Sequence, residues 1–255
     1  MDRSPVFSAI KALRGGQSFT SANVIAVDSL LDDLGIARTA GAVEHQVKIG
    51  LSAADFQQVA ALLGCTVAQI KAVWQVESGG GWFTDVRADI LDLDGPGGFL
   101  DGPHLPKILF EAHIFDRYTE GKYRASQPNL SSARWNRSLY VGGQAEYVRL
   151  WKAMKLDRNA ALLSASVGGA QVMGFNHRAA GFDSVEAFWD AMKKSERAHL
   201  DAFASFITSK SLKPALRQIS NAAADCVAFA KGYNGAGYAA NKYHIKIAAA
   251  HASRV

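Results

Sequence analysis

From Ser52 onward, apolar residues recur at i, i+3, i+4 and i+7 in one segment after another, and one stretch, residues 84–106, breaks the rhythm. A chain patterned in this way folds as packed helices, because the 3.6-residue period gathers each apolar set on one face that must be buried against another. The spacing predicts helices over 52–63, 67–78, 144–155, 158–165, 184–192, 194–208, 212–218, 221–231 and 238–251. Two of them carry a start signal: Ser52 with Asp55, and Thr66 with Gln69, each fit the capping box in which a hydroxyl and an acid or amide three residues on satisfy each other's backbone N–H. Pro106 suits the first turn of a further helix through LFEAHIFDRY. Residues 84–106 contain DLDGPGGFLDGPHLP, dense in turn formers, and predict short strands or an ordered loop. The fold class that follows is mainly α with a small β element lining a cleft. There is no internal repeat and no low-complexity tract.

The 255 residues suffice for one large domain with a small appendage. Residues 5–13 and 21–34 read as two short helices, 36–50 as a linker, and the main domain runs from 51 to 255; residues 1–45 form a small helical region with a possible binding role. With 49% hydrophobic and 20% charged residues the chain is globular in composition. A formal charge of +5 favours anionic surfaces, envelope polymers or nucleic acid, without choosing between them. No apolar run approaches the roughly 20 residues that span a bilayer, and MDRSPVFSAIKALRGG lacks the hydrophobic segment of a secretory signal, so the expectation is a monomer without stable membrane insertion, made and kept in a cytoplasm. Cys65 and Cys226 each fall in an apolar helical pattern and read as buried thiols.

One apolar stripe ends in an acid. Ile70, Val73, Trp74 and Glu77 share a helix face, and Gly79, Gly80 and Gly81 follow at once, stopping the helix and clearing space beside the carboxyl. The bland reading is a helix-end Glu in a salt bridge. The chemical one is a general acid: desolvation beside Trp74 disfavours the anion, raises the pKa and keeps a proton available near neutral pH.

Two further stretches join it. SASVGGAQVMGFNH, residues 164–177, has Gly168 and Gly169 for close backbone approach and Gln171 as donor and acceptor for a sugar hydroxyl or amide, with a tight turn between helices as the plain alternative. AKGYNGAGYAANKY, residues 230–243, has Gly232 to end a helix and a Tyr233-Asn234-Gly235 loop, an ordinary helix connection that also suits carbohydrate through its ring and amide. Glu111 and His113, two residues apart on a predicted helix, point away from each other. Phosphate-loop, H-E-x-x-H and paired C-x-x-C motifs are absent and the seven His are scattered, so neither a metal nor a cofactor is expected. No nucleic-acid-binding motif accompanies the charge.

Glu77-Ser78-Gly79, Gly-Gly-Ala-Gln-Val-Met-Gly over 168–174 and Tyr233-Asn234-Gly235, in that order, resemble the lysozyme-like superfamily of goose-type lysozymes and lytic transglycosylases. More closely, KAVWQVESGGG, PKILFEAHIF, the LSSARWNRSLY run with its following GG and EY, MGFNHRAAGF and FAKGYNGAGYAANKYHIKIA resemble the N-acetylmuramidase domain of phage endolysins. The resemblance implies a lysozyme-like fold and hydrolysis of the β-1,4 bond between N-acetylmuramic acid and N-acetylglucosamine in bacterial peptidoglycan. Glu77 is then the proton donor, Asp85 or Asp101 a second carboxylate, and Ser78, Gln171, Tyr233, Asn234 and Asp101 substrate contacts, with Glu111 and His113 ordering the cleft wall. It also implies passage from the host cytoplasm to the periplasm through a holin-type pore. The chain departs from the family in two places: the pattern Ser-Trp-Gly-Leu-Phe-Gln-Ile-Met-Gly is replaced by Ser166 to Gly174 with bulk lost beside the cleft, and the loop after Glu77 is longer. A lytic transglycosylase and a non-catalytic peptidoglycan binder are the alternatives.

Overall fold

The computed structural model describes residues 9, 10, 13, 50–78, 82–86, 99, 100 and 102–254, without the side chains of 78, 85, 102 and 103. The chain divides into two units, Met1–Gln46 and Val47–Val255, and the elements below belong to the second. The helices expected over 5–13 and 21–34 and the linker over 36–50 lie almost wholly outside the described residues.

Helices α1 (Ala53–Leu63) and α2 (Val67–Ser78) begin where the two capping boxes place them. Ser52 Oγ accepts from Asp55 N–H at 3.2 Å while Asp55 Oδ2 accepts from Ser52 N–H at 2.8 Å. Thr66 and Gln69 make the same reciprocal pair at 2.9 and 3.2 Å. Gln69 Nε2 also donates to Arg217 O and Ile219 O at 2.8 and 3.0 Å, tying the start of α2 to a distant part of the chain. Gly64, at φ +67°, ends α1 in the left-handed conformation that a side chain resists.

Among the described residues between 82 and 118, strands come before a helix. β1 (Phe83–Val86) pairs antiparallel with β2 (Gly102–Pro106), Phe83 opposite Pro106. Next come β3 (Ile108–Phe110) and α3 (Ala112–Tyr118). Pro106 therefore closes a strand, and the helix predicted from it starts only at Ala112. The reason is pairing: β3 lies antiparallel to β4 (Ala165–Val167), and β4 to β5 (Val172–Met173), so the short apolar alternation at Ile108 to Phe110 is used as a strand. For the same reason the glycines at 168 and 169 form the turn of a β-hairpin instead of a turn between helices.

The remaining helices are α4 (Ala145–Leu156), α5 (Arg158–Leu163), α6 (Val185–Lys194), α7 (Glu196–Ser209), α8 (Lys213–Arg217), α9 (Val227–Asn234) and α10 (Tyr243–Ala252). The helix predicted over 221–231 is shifted, with a 3-10 turn at Ala223–Cys226 before α9, and the one over 238–251 starts late, after a 3-10 turn at Gly235–Tyr238. Trp189, Tyr147, Phe110, Phe115, Phe188, Phe203 and Phe229 fill the core. Cys226 is buried, Cys65 half-buried, and both are free thiols. Among the described residues no single helix is long and apolar enough to cross a membrane. The architecture is mainly α with small antiparallel sheets.

Candidate active site

The face predicted for α2 is the face that the fold buries: Ile70 and Val73 are inaccessible, Trp74 is 5% exposed, and Glu77 lies one turn beyond them at the C-terminal end. Helix α10 packs along α2 and brings Lys246 into the field of Glu77. Glu77 keeps part of its surface open but is closely surrounded by protein, and this desolvation pushes its carboxyl up to about 7. A hydrogen bond from Asn234 and the charge of Lys246 pull in the other direction without cancelling it. Asn234 Nδ2 donates to Glu77 Oε1 at 2.9 Å. A carboxyl whose Oε1 already accepts a hydrogen bond holds its acidic proton on Oε2, so the proton faces away from Asn234.

Tyr233 and Asn234 occupy the last turn of α9, not a loop. Gly232 lies within the helix, with Leu212 packed where its Cβ would be, and Gly235, at φ +72°, is the residue that ends it. Tyr233 lies among Phe203, Phe206 and Phe229, stacked on Phe229 with centroids 5.4 Å apart. Its hydroxyl donates to Ala170 O at 2.8 Å, joining α9 to the β4–β5 turn. Asn234 Oδ1, in contrast, is buried and has no hydrogen-bond partner. A buried acceptor left open beside an acid is the place where a ligand N–H or hydroxyl would bind.

Gln171 is held in the left-handed region at φ +47°, and its carboxamide clips the hairpin. Nε2 donates to Gly168 O at 2.7 Å and Lys107 O at 3.3 Å, and Oε1 accepts from Ser166 Oγ at 2.8 Å. Its hydrogen-bonding capacity is thus engaged within the fold, next to the backbone carbonyl that receives Tyr233.

Next to this hairpin, Trp74 and Trp82 pack with centroids 3.8 Å apart. Gly169 lies against both: a Cβ there would stand 2.6 Å from Trp82 Cε3 and 3.1 Å from Trp74 Cζ2. Trp82 and Trp74 thus occupy the space that a side chain at Gly169 would need. His199 is buried beneath them, its ring 5.9 Å from that of Trp82. Its Nδ1 accepts from Gly169 N–H at 3.1 Å, so the ring proton sits on Nε2, which donates to Met192 O at 2.6 Å. Burial pushes His199 down to about 4 and keeps it neutral. Neither Trp82 nor His199 stood out in the sequence.

Glu111 and His113 meet, contrary to the expectation that they point apart. Glu111 is the N-cap of α3, with extended backbone at φ −98° and ψ 97°, so helical spacing does not apply, and His113 Nδ1 comes within 3.2 Å of Glu111 Oε2. Tyr140 OH lies 2.7 and 2.9 Å from the two Glu111 oxygens. Burial raises the Glu111 carboxyl above its usual range. One residue earlier, Phe110 N–H donates to the buried carboxylate of Glu146 at 3.2 Å; Glu146 also accepts from Val141 N–H at 2.7 Å, Gly142 N–H at 3.0 Å and Arg149 Nη1 at 2.8 Å. Glu146 therefore fixes both segments that carry the Glu111–Tyr140 contact. Its sequence signal was the E-x-x-R pair at Glu146 and Arg149, two charges on the inner face of α4. Lys107, the residue before β3, accepts through its carbonyl from Gly168 N–H and Gln171 Nε2. The three residues of β3 lie between Lys107 and Glu111, so four residue steps, about 13 Å of chain, separate the Glu111 group from the hairpin turn.

Asp101 and Gly79 to Gly81 lie outside the described residues, and the side chains of Ser78 and Asp85 are not described. Among the described residues no group of three His, Cys, Asp or Glu side chains could hold a metal ion.

A family model described as Muramidase, N-acetylmuramidase, matches residues 66–254. Among solved structures, the chain is similar to the crystal structure of Burkholderia AP3 phage endolysin, at 35% identity over 80% of this chain and 70% of that one, with a TM-score of 0.63. Comparison with curated proteins gave no match.

Proposed function

The chain belongs to the N-acetylmuramidase family, and from that premise we propose that it is a peptidoglycan-degrading endolysin in which Glu77 is the general acid. As a member it is a glycoside hydrolase, and peptidoglycan is the substrate that membership implies. The bond proposed is the β-1,4 linkage between N-acetylmuramic acid and N-acetylglucosamine. The observation that carries the assignment is the Glu77 carboxyl at the end of an apolar helix face, pushed up to about 7 by desolvation with one oxygen bonded to Asn234. Oε2–H gives its proton to the glycosidic oxygen as the C1–O bond breaks, the leaving sugar departs as an alcohol, and water adds at C1 and returns a proton. Asn234 orients the acid, and its open Oδ1 accepts a hydrogen bond from the sugar. Tyr233 and Gln171 hold the hairpin against α9 as the wall of the sugar site. Ser78 and Asp101 remain proposed contacts, with Asp85 or Asp101 the candidate second carboxylate.

The proposal extends to residues 1–45 as a cell-wall-binding region and to release through a separate pore-forming partner into the periplasm, acting as a monomer. Mass spectrometry of products from purified peptidoglycan tests the reaction. Muropeptides with a muramic acid reducing end that borohydride reduces are expected; anhydro products, lighter by one water, would replace hydrolysis with transglycosylation.

A further inference from the structure

The segment between α3 and α4 exposes an indole that is nonetheless fixed. Trp135 is 58% exposed, as is Val141. Its Nε1–H donates to Tyr140 OH at 2.7 Å, and Tyr140 in turn donates to Glu111. Tyr140 meets it edge-on, with centroids 6.4 Å apart, and no described aromatic ring stacks on either face. The backbone is equally constrained. Asn136 Oδ1 accepts from Ser138 N–H at 3.0 Å and Ser138 Oγ at 2.8 Å, and Val141 and Gly142 are held by Glu146. Arg134 and Arg137 flank Trp135 in the sequence; both are exposed, and no hydrogen bond or ion pair of either side chain is found among the described residues.

An exposed indole locked by its polar edge presents its faces at little cost in side-chain entropy. A sugar ring offers an apolar face of matching size, and unpaired guanidinium groups beside it attract carboxylates. Peptidoglycan combines both, since its glycan rings carry, through their lactyl groups, stem peptides that end in free carboxylates. We propose that Trp135, Arg134 and Arg137 form a second contact for an anionic peptidoglycan strand, separate from the residues grouped around Glu77. The proposal rests on peptidoglycan being the substrate. Glu111, Tyr140 and Glu146 are its support: they set the orientation of the indole, while the strand touches Trp135 and the two arginines.

The test uses the full chain with purified sacculi, measuring co-sedimentation, turnover and thermal melting for wild type, Trp135→Ala, Trp135→Phe and the double variant Arg134→Ala with Arg137→Ala. Trp135→Ala is expected to weaken sacculus binding about three- to tenfold, the scale of one aromatic contact, and to raise KM with kcat unchanged. Trp135→Phe keeps a stacking face and retains most of the binding. The arginine pair weakens binding and flattens its dependence on salt. Equal binding by wild type and Trp135→Ala overturns the proposal. So does a Trp135→Phe variant that falls as far as Trp135→Ala with a lowered melting temperature, because the ring would then be a loop pin. Binding to phosphatidylglycerol vesicles that is lost in Trp135→Ala, with sacculus binding intact, overturns it in favour of a membrane. If wild type neither binds nor cleaves sacculi, the peptidoglycan reading itself falls; if it cleaves them and the variants match it, only the second contact does.

Discussion

Asn234 Nδ2 donates to Glu77 Oε1 at 2.9 Å, so the last turn of α9 closes on the last turn of α2. This bond opposes the desolvation that raises the Glu77 carboxyl and sets how far the shift goes. The balance between the two makes the site measurable by pH as well as by substitution.

Replacing Glu77 with Gln removes the proton and keeps the shape. Activity on sacculi is expected to fall by about 10²–10⁴-fold, the usual contribution of a general acid. The folded pKa is raised from 4.5 to about 7, so the stabilising preference for the protonated form is complete below about 4.5 and is lost as pH rises through 7. Above pH 7 the variant is therefore expected to melt higher than wild type, and the difference shrinks toward pH 4.5. A helix-end salt bridge would give the opposite pattern, with activity kept and the melt lowered.

Asn234→Ala removes the bond that restrains the shift. The Glu77 pKa is expected to rise further, moving the alkaline limb of the kcat/KM profile to higher pH. A limb that stays in place would detach Asn234 from the acid.

Gly169→Ala drives a methyl to 2.6 Å from the Trp82 ring. Overpacking of this kind costs about 1–3 kcal/mol. Combining it with Trp82→Leu is expected to recover part of that loss. Urea melts of the two singles and the double read the coupling directly, and strict additivity would show that the two groups do not compete for space.

Glu146→Ala strands Arg149 in the core and frees the backbone N–H groups of Phe110, Val141 and Gly142. Breaking one side of a buried pair costs about 3–5 kcal/mol, and denaturant melts are expected to show a loss of that size. A loss below 1 kcal/mol would show that water replaces the carboxylate.

The parts of this structure legible in the sequence are those set by nearest neighbours along a helix. The two capping boxes fix where α1 and α2 start, and the apolar stripe through Ile70, Val73 and Trp74 fixes which way Glu77 points. β3 was hidden because three residues are too few for a period, and only its partner strand, far along the chain, decides between strand and helix. Glu111 and His113 were misjudged by assuming a helix that already ran through Glu111, whereas it starts only at Ala112. The close approach of Trp82 to Gly169 could not be read locally at all, since the glycine and the ring that covers it belong to different segments. Glu77 was visible as an acid; its bond to Asn234 required the tertiary fold.

Helix α10 covers α2 and brings Lys246 to Glu77, and α9 supplies Asn234. Both follow α2 at a distance along the chain, Asn234 lying 157 residues after Glu77. A copy that stops before α9 carries Glu77 on its helix without the amide that bonds to it or the helix that packs along it, so the surroundings that raise this carboxyl are expected only once synthesis has passed both.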